Sequence, residues 1–153
     1  MAYTSIFAQC LDGVAAGIQA LDMTGIPDNR VTVRRLPHDG EAYFPGITVH
    51  PVTEIYHQGT NMRESVGYGC AVTMVVNNEN DSEYLLDQLL LWRETIRRYF
   101  VENSTLTAVT ASGASVCTLK VEHGKPIEWN ELIDKNYDVS TLIIRCYVWE
   151  TRT

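Results

Sequence analysis

Residues 66–77, VGYGCAVTMVVN, decide how the rest of the chain is read. Cys70, Val72, Met74 and Val76 alternate with Ala71, Thr73 and Val75, the period of an extended strand. Apolar residues on both sides place such a strand inside a sheet. Gly67 and Gly69 at its start predict a bulge or a close backbone approach. Thr53 to Gln58 forms the preceding arm. The polar connection 59–65, GTNMRES, joins the two into a hairpin.

Further upstream, Arg30 to Leu36 predicts a short strand and Ile47 to His50 another extended run. Pro45 and Pro51 flank that run, which places it at a sheet edge or in a loop. Downstream, residues 102–115 are rich in Ser, Thr and Ala and predict a loop, with a short strand at Leu106 to Val109. Cys117, Leu119 and Val121 alternate with Val116, Thr118 and Lys120 in a strand ended by Gly124-Lys125-Pro126. Trp129 to Lys135 suits one helical turn. Ser140 to Trp149 is the last strand, with Leu142, Ile144, Cys146 and Val148 on one side and Thr141, Ile143, Arg145, Tyr147 and Trp149 on the other.

Two segments have helical periodicity. From Thr4 to Met23, Ile6, Phe7, Cys10, Leu11, Val14, Ile18 and Leu21 recur at spacings of three and four; Thr4 or Ser5 caps the start, and Thr24-Gly25-Ile26-Pro27 ends it. From Ser82 to Val101, Leu85, Leu89, Trp92, Ile96, Tyr99 and Phe100 form the stripe. Asn80 and Glu83 have capping-box spacing, Arg97 and Arg98 complement the helix dipole, and Glu94 reaches Arg98 across one turn. Strands in blocks between helices predict an α+β fold: a mostly antiparallel mixed β-sheet with two main α-helices packed on one face, in one domain spanning 1–153. Leu85, Leu89, Trp92, Ile96 and Phe100 are expected to meet Val72, Met74, Leu142 and Ile144.

The 153 residues carry a formal charge of -7 and a pI near 5.0. That balance opposes dedicated nucleic-acid binding, which relies on cationic neutralisation of phosphates. It is compatible with a wall past which DNA slides. No signal-peptide pattern opens the sequence and no apolar run approaches membrane-span length, so neither export nor a membrane partner is expected. Cys10, Cys70, Cys117 and Cys146 lie far apart without a CxxC pair; reduced thiols and no disulfide are expected.

Catalytic chemistry finds no foothold in the motifs. His38, His50, His57 and His123 lack metal-ligand spacing, so neither a metal nor another cofactor is expected. Ala111-Ser112-Gly113-Ala114-Ser115 reads as a small-residue loop and not as a nucleophile turn. Gly67-Tyr68-Gly69 precedes a strand, whereas a phosphate cradle follows one. The carboxylates Glu79, Asp81, Glu83 and Asp87 suit a solvated helix start, or an acidic patch facing a partner or a channel. Arg30, Arg34 and Arg35 suit a solvated strand face or an inter-subunit ion-pair surface. Leu91, on the polar side of the second helix, is an isolated exposed leucine or a contact residue.

Phe44-Pro45-Gly46-Ile47-Thr48-Val49, Pro51-Val52, Gly59-Thr60-Asn61-Met62-Arg63, Val66-Gly67-Tyr68, Leu89-Leu90-Leu91-Trp92-Arg93-Glu94, Ile96-Arg97-Arg98, Asn136-Tyr137-Asp138-Val139-Ser140 and Glu150-Thr151-Arg152, with the order of elements, resemble a tailed-bacteriophage neck family. That family includes tail terminators and head–tail joining subunits, and the likeness spans nearly the whole chain. The resemblance implies a ring, usually a hexamer, that caps the tail tube, meets neighbouring tail-tube and neck proteins, and lets DNA pass through its lumen without specific binding. It implies a virion protein assembled in the host cytoplasm. It also makes the hairpin tip, Gly59, Thr60, Asn61, Met62, Arg63 and Glu64, the first candidate for reaching a neighbour; Arg30, Arg34 and Leu91, in their own elements, are the other interface candidates. A stopper, adaptor or tube subunit is the nearest alternative. A small-ligand or enzymatic α+β domain is the other.

Overall fold

A computed structural model of the protein describes residues 5–26, 31–33, 46–58, 63–77, 82–110, 113–122, 124–127 and 137–151. The elements in chain order are α1 (Ile6–Ala20), β1 (Val31–Val33), β2 (Gly46–Pro51), β3 (Ile55–Gln58), β4 (Arg63–Asn77), α2 (Ser82–Glu102), β5 (Thr105–Thr110), β6 (Gly113–Glu122) and β7 (Tyr137–Thr151). The fold is α+β. Its mixed, mostly antiparallel sheet has the order β1-β2-β4-β7-β6-β5, with β3 also paired to β4; among the described strands only β1 and β2 run parallel.

β4 and β7 are its axis. All 15 residues of β4 pair with all 15 of β7, from Arg63 opposite Thr151 to Asn77 opposite Tyr137. The expected central strand is thus central, and longer than its apolar run. Two strands share its other edge: β2 faces Cys70 to Val75 and β3 faces Glu64 to Gly67. Between them, Val52, Thr53 and Glu54 oppose only Tyr68 and Gly69, which is the bulge that the glycines foretold. The Val52 N–H donates to the Gly69 carbonyl at 2.8 Å. A Cβ on Gly69 would stand 2.7 Å from Val52 Cγ2 and 2.8 Å from the Thr53 oxygen, so no larger residue fits without movement.

The structure corrects several boundaries. β2 lies between β1 and β4 and is neither edge nor loop; Pro51 sits at its exposed end, where a missing N–H costs little. Arg63, Glu64 and Ser65 belong to β4 and not to the hairpin connection, because pairing with β7 outweighs their polarity. Most of the expected 102–115 loop is a hairpin, β5 and β6, whose turn is closed by Thr110 Oγ1 donating to the Gly113 carbonyl at 2.8 Å. α1 ends at Ala20, before the Thr24-Gly25 signal, because Asp22 takes the left-handed conformation (φ 49°). α2 runs on to Glu102, so its last turn contains no basic residue and Arg97 and Arg98 lie one turn earlier. Residues 34–36, Asn80 and the 129–135 turn fall outside the described residues.

One core cluster joins Cys10, Leu11, Val14 and Ile18 of α1, Leu89, Trp92, Ile96 and Phe100 of α2, and the alternate positions Cys70, Val72, Met74, Leu142, Ile144 and Cys146 of β4 and β7. The helices meet where Gly17 lies against Tyr99 and Phe100. Ser5 caps α1 by accepting from the Ala8 N–H at 3.1 Å, and Trp92 donates its indole N–H to the Thr24 carbonyl at 3.2 Å. The four cysteines, scattered in sequence, converge here. Cys10 lies beside Cys117 and Cys146, and Cys146 beside Cys70. All four are buried free thiols. For Cys117, the bond to Cys10 and then burial push the thiol far above its ordinary range, which keeps it protonated and unreactive.

Candidate assembly surface

Four surface features remain once the core is assigned. The first is the solvent side of α2. Leu91, 57% exposed, and Val101 share a stripe with Glu94 and Arg98, which form an exposed i,i+4 ion pair at 3.5 Å. Such a pair contributes only a few tenths of a kcal/mol. The stripe is thus apolar at its ends and weakly held in its middle.

The second lies on the pleat positions that alternate with the core. Trp149 of β7, 52% exposed, and Val109 and Val116 of the β5–β6 hairpin point away from the core cluster. On the same set of positions sits a buried polar group. Arg145, only 4% exposed, pairs its Nε with Glu122 at 2.7 Å and donates from Nη1 to the carbonyls of Thr53 and Gly67. It ties β7 to β6 on one side and to the bulge on the other. Farther along, His50 shares a 3.0 Å hydrogen bond with Thr73, and burial pulls its pKa below the ordinary 6.5.

The third is the far end of the β3–β4–β7 ladder. Glu64 faces Glu150 across the strands. Burial, then repulsion from Glu64, raises the Glu150 pKa. Beside them Tyr56, 68% exposed on the outer strand β3, donates its hydroxyl to Glu54. Tyr68 is held above its ordinary range by burial and then by Glu150 and Glu54.

The fourth is a shallow groove of about 220 Å³ lined by Arg93, Arg97, Val101, Val121, Glu122 and Leu142. It lies beside β6 where that strand has run past β5. Arg93 is fixed by donating to Ser140 Oγ at 3.0 Å and to the carbonyls of Thr141 and Gly124. Burial, then the nearby Arg97 charge, lowers its pKa. Elsewhere the same side of the sheet is closed: the Gln9 amide both donates to the Val109 carbonyl at 2.9 Å and accepts from its N–H at 2.8 Å, so α1 blocks strand addition at that point of β5.

Of the residues singled out from sequence, Leu91 is exposed on α2 and Glu64 is half-buried in the ladder. Arg63 is at the start of β4; its side chain, together with Arg30, Arg34, Gly59, Thr60, Asn61 and Met62, lies outside the described residues. The exposed Tyr56 and Trp149, the Arg93–Arg97 groove and the Arg145 tie were not singled out. Tyr56 and Trp149 read as ordinary alternating strand residues, and the arginines became notable only through the register that places them. Among the described residues no three His, Cys, Asp or Glu side chains are grouped to hold a metal ion, and no helix is long and apolar enough to cross a membrane. The sequence matches no protein-family model and no curated protein.

Proposed function

We propose that the protein is a structural subunit that acts by assembly, a tail terminator of a tailed-bacteriophage neck. Copies close into a ring, most simply a hexamer, that caps the tail tube, joins it to the neck and surrounds the DNA channel. One observation carries the assembly half of this reading: large apolar side chains are exposed at separate places, Leu91 and Val101 on α2 and Val109, Val116 and Trp149 on the sheet. Separated patches suit a head-to-tail contact, in which each copy offers one surface and receives the other. The neck half rests on the sequence resemblance. In this arrangement both helices lie on one face of the sheet, an inference supported by their shared core cluster and by the contact of Gly17 with Tyr99 and Phe100. The other face is then available to neighbours.

A chain of charge -7 suits a lumen with an acidic or neutral lining, which would let a polyanion pass without being held. Imaging of purified virions with a label on this chain tests the reading. It expects one closed ring per particle at the head–tail junction. Label distributed along the tail, or absent from the particle, contradicts it.

A further inference from the structure

The outer stripe of α2 is complementary to its own reverse. Leu91 lies five residues before Ile96 and Val101 five after it; Glu94 lies two before and Arg98 two after. Ile96 is buried on the opposite side of the helix, and the other four are exposed. Their spacings of three, four and three put them on one face, in the seam that two packed helices share. Reversing the stripe about the level of Ile96 exchanges its two apolar ends, and exchanges the anion with the cation.

A second copy of α2, laid antiparallel with a two-fold axis level with Ile96, therefore sets its Val101 against Leu91 and its Arg98 against Glu94. The same two contacts repeat on the other side of the axis. Arg97, exposed on the flank of the stripe, falls beside the second copy's Glu94. A parallel copy would instead set Glu94 against Glu94 and Arg98 against Arg98. Leu91 and Val101 are about 15 Å apart along the helix, so apolar contacts bound the charged ones at each end. Within one copy Glu94 and Arg98 touch at 3.5 Å, but both side chains are more than half exposed, so that bond holds little and leaves open sides for a second partner. Helix packing along such a seam is a general mode and requires no specially shaped groove.

We infer that unassembled copies pair through α2 in this antiparallel, two-fold arrangement. The contact is isologous and stops at two copies, so it cannot by itself build a ring. A stripe engaged in a pair is also unavailable to a head-to-tail joint, which makes the pair a form of the chain that precedes the ring. The inference goes beyond the ring reading and stands or falls separately from it.

Charge reversal in the full chain tests it, with melting curves verifying that each variant folds. Glu94→Arg sets a cation against Arg98 at both contacts, and Arg98→Glu sets a carboxylate against Glu94. Each is expected to raise the dissociation constant of the pair by about tenfold or more in sedimentation over a concentration series. Mixed in equal amounts, the two variants again set opposite charges level with one another, and should pair about as tightly as the wild type. Neither helix of that mixed pair keeps its own Glu94–Arg98 bond, so the recovery reports contact between copies. Cross-linking reads the register. Leu91→Cys combined with Val101→Cys should join copies from position 91 to position 101 under mild oxidation, whereas Leu91→Cys alone should not; the four native thiols are buried. Folded reversal variants that pair like the wild type, a mixture no tighter than its components, or a cross-link from 91 to 91 would overturn the antiparallel pair and leave the ring standing. Pairs that form as described without any larger closed species support the pair and overturn the ring. A wild-type chain that remains monomeric at every concentration overturns both.

Discussion

The β4–β7 ladder has one register and two chemistries. In its middle, Cys70 pairs with Ile144 and Val72 with Leu142, all buried and all facing helices or neighbouring strands. At its far end, Glu64 pairs with Glu150, and Ser65 with the half-exposed Trp149. The backbone hydrogen bonding is continuous, so the difference comes from the side chains. The middle gains apolar burial and tolerates little change. The end is held by the same strands yet carries facing carboxylates and open aromatic surface.

Damage to the middle should dominate. Trp92→Ala removes a buried ring and its hydrogen bond to Thr24, and should cost about 3–5 kcal/mol in chemical denaturation. A cost below about 1 kcal/mol would mean that α2 is not seated on this core. Next comes the tie between middle and end. Arg145→Met leaves Glu122 and the carbonyls of Thr53 and Gly67 without their donor, and should cost about 2–3 kcal/mol. Hydrogen exchange should then quicken first at Val52 and its neighbours in the bulge. Unchanged exchange there would reduce Arg145 to a local ion pair.

The smallest effects belong to two carboxyls with raised pKa values, Asp138 through burial and Glu150 through burial and Glu64. Asp138 is buried and its Oδ2 has no hydrogen-bond partner among the described residues. For both groups the folded state prefers the protonated form. Their favourable contribution is complete below the ordinary values of 3.8 and 4.5 and is lost as pH rises through the raised folded values. Asp138→Asn and Glu150→Gln should therefore stabilise the isolated chain at neutral pH, Glu150→Gln by about 0.2–1 kcal/mol. Both should flatten the fall in stability above pH 4. A steeper fall in either variant would reverse the sign assigned here.

The same contrast explains what could be read from sequence. Period-two alternation in residues 66–77 and 140–149 located β4 and β7, because burial on one or both sides imposes a pattern. Polar Arg63, Glu64 and Ser65 carry no such pattern and read as part of a hairpin connection, although pairing with β7 makes them strand. The β5–β6 hairpin was obscured likewise, since its exposed positions are mostly Thr and Ser. Its β6 position beside β7 also brings Cys117 to Cys10 and Cys146, a convergence that spacing along the chain could not reveal. Leu91 was legible as a misplaced apolar residue on a polar helix face. Tyr56 was not, because a tyrosine is ordinary in a short alternating strand and only the structure shows that it is exposed.

The proposed neck role requires this chain to close on copies of itself. Native mass measurement of the purified full chain, from dilute to concentrated solution, addresses it most directly. The expected result is a transition from single chains or pairs to one closed species, most simply the hexamer, with no larger product at the highest concentration. A mass that remains that of one 17.2 kDa chain, or that grows without limit into open filaments, would contradict it.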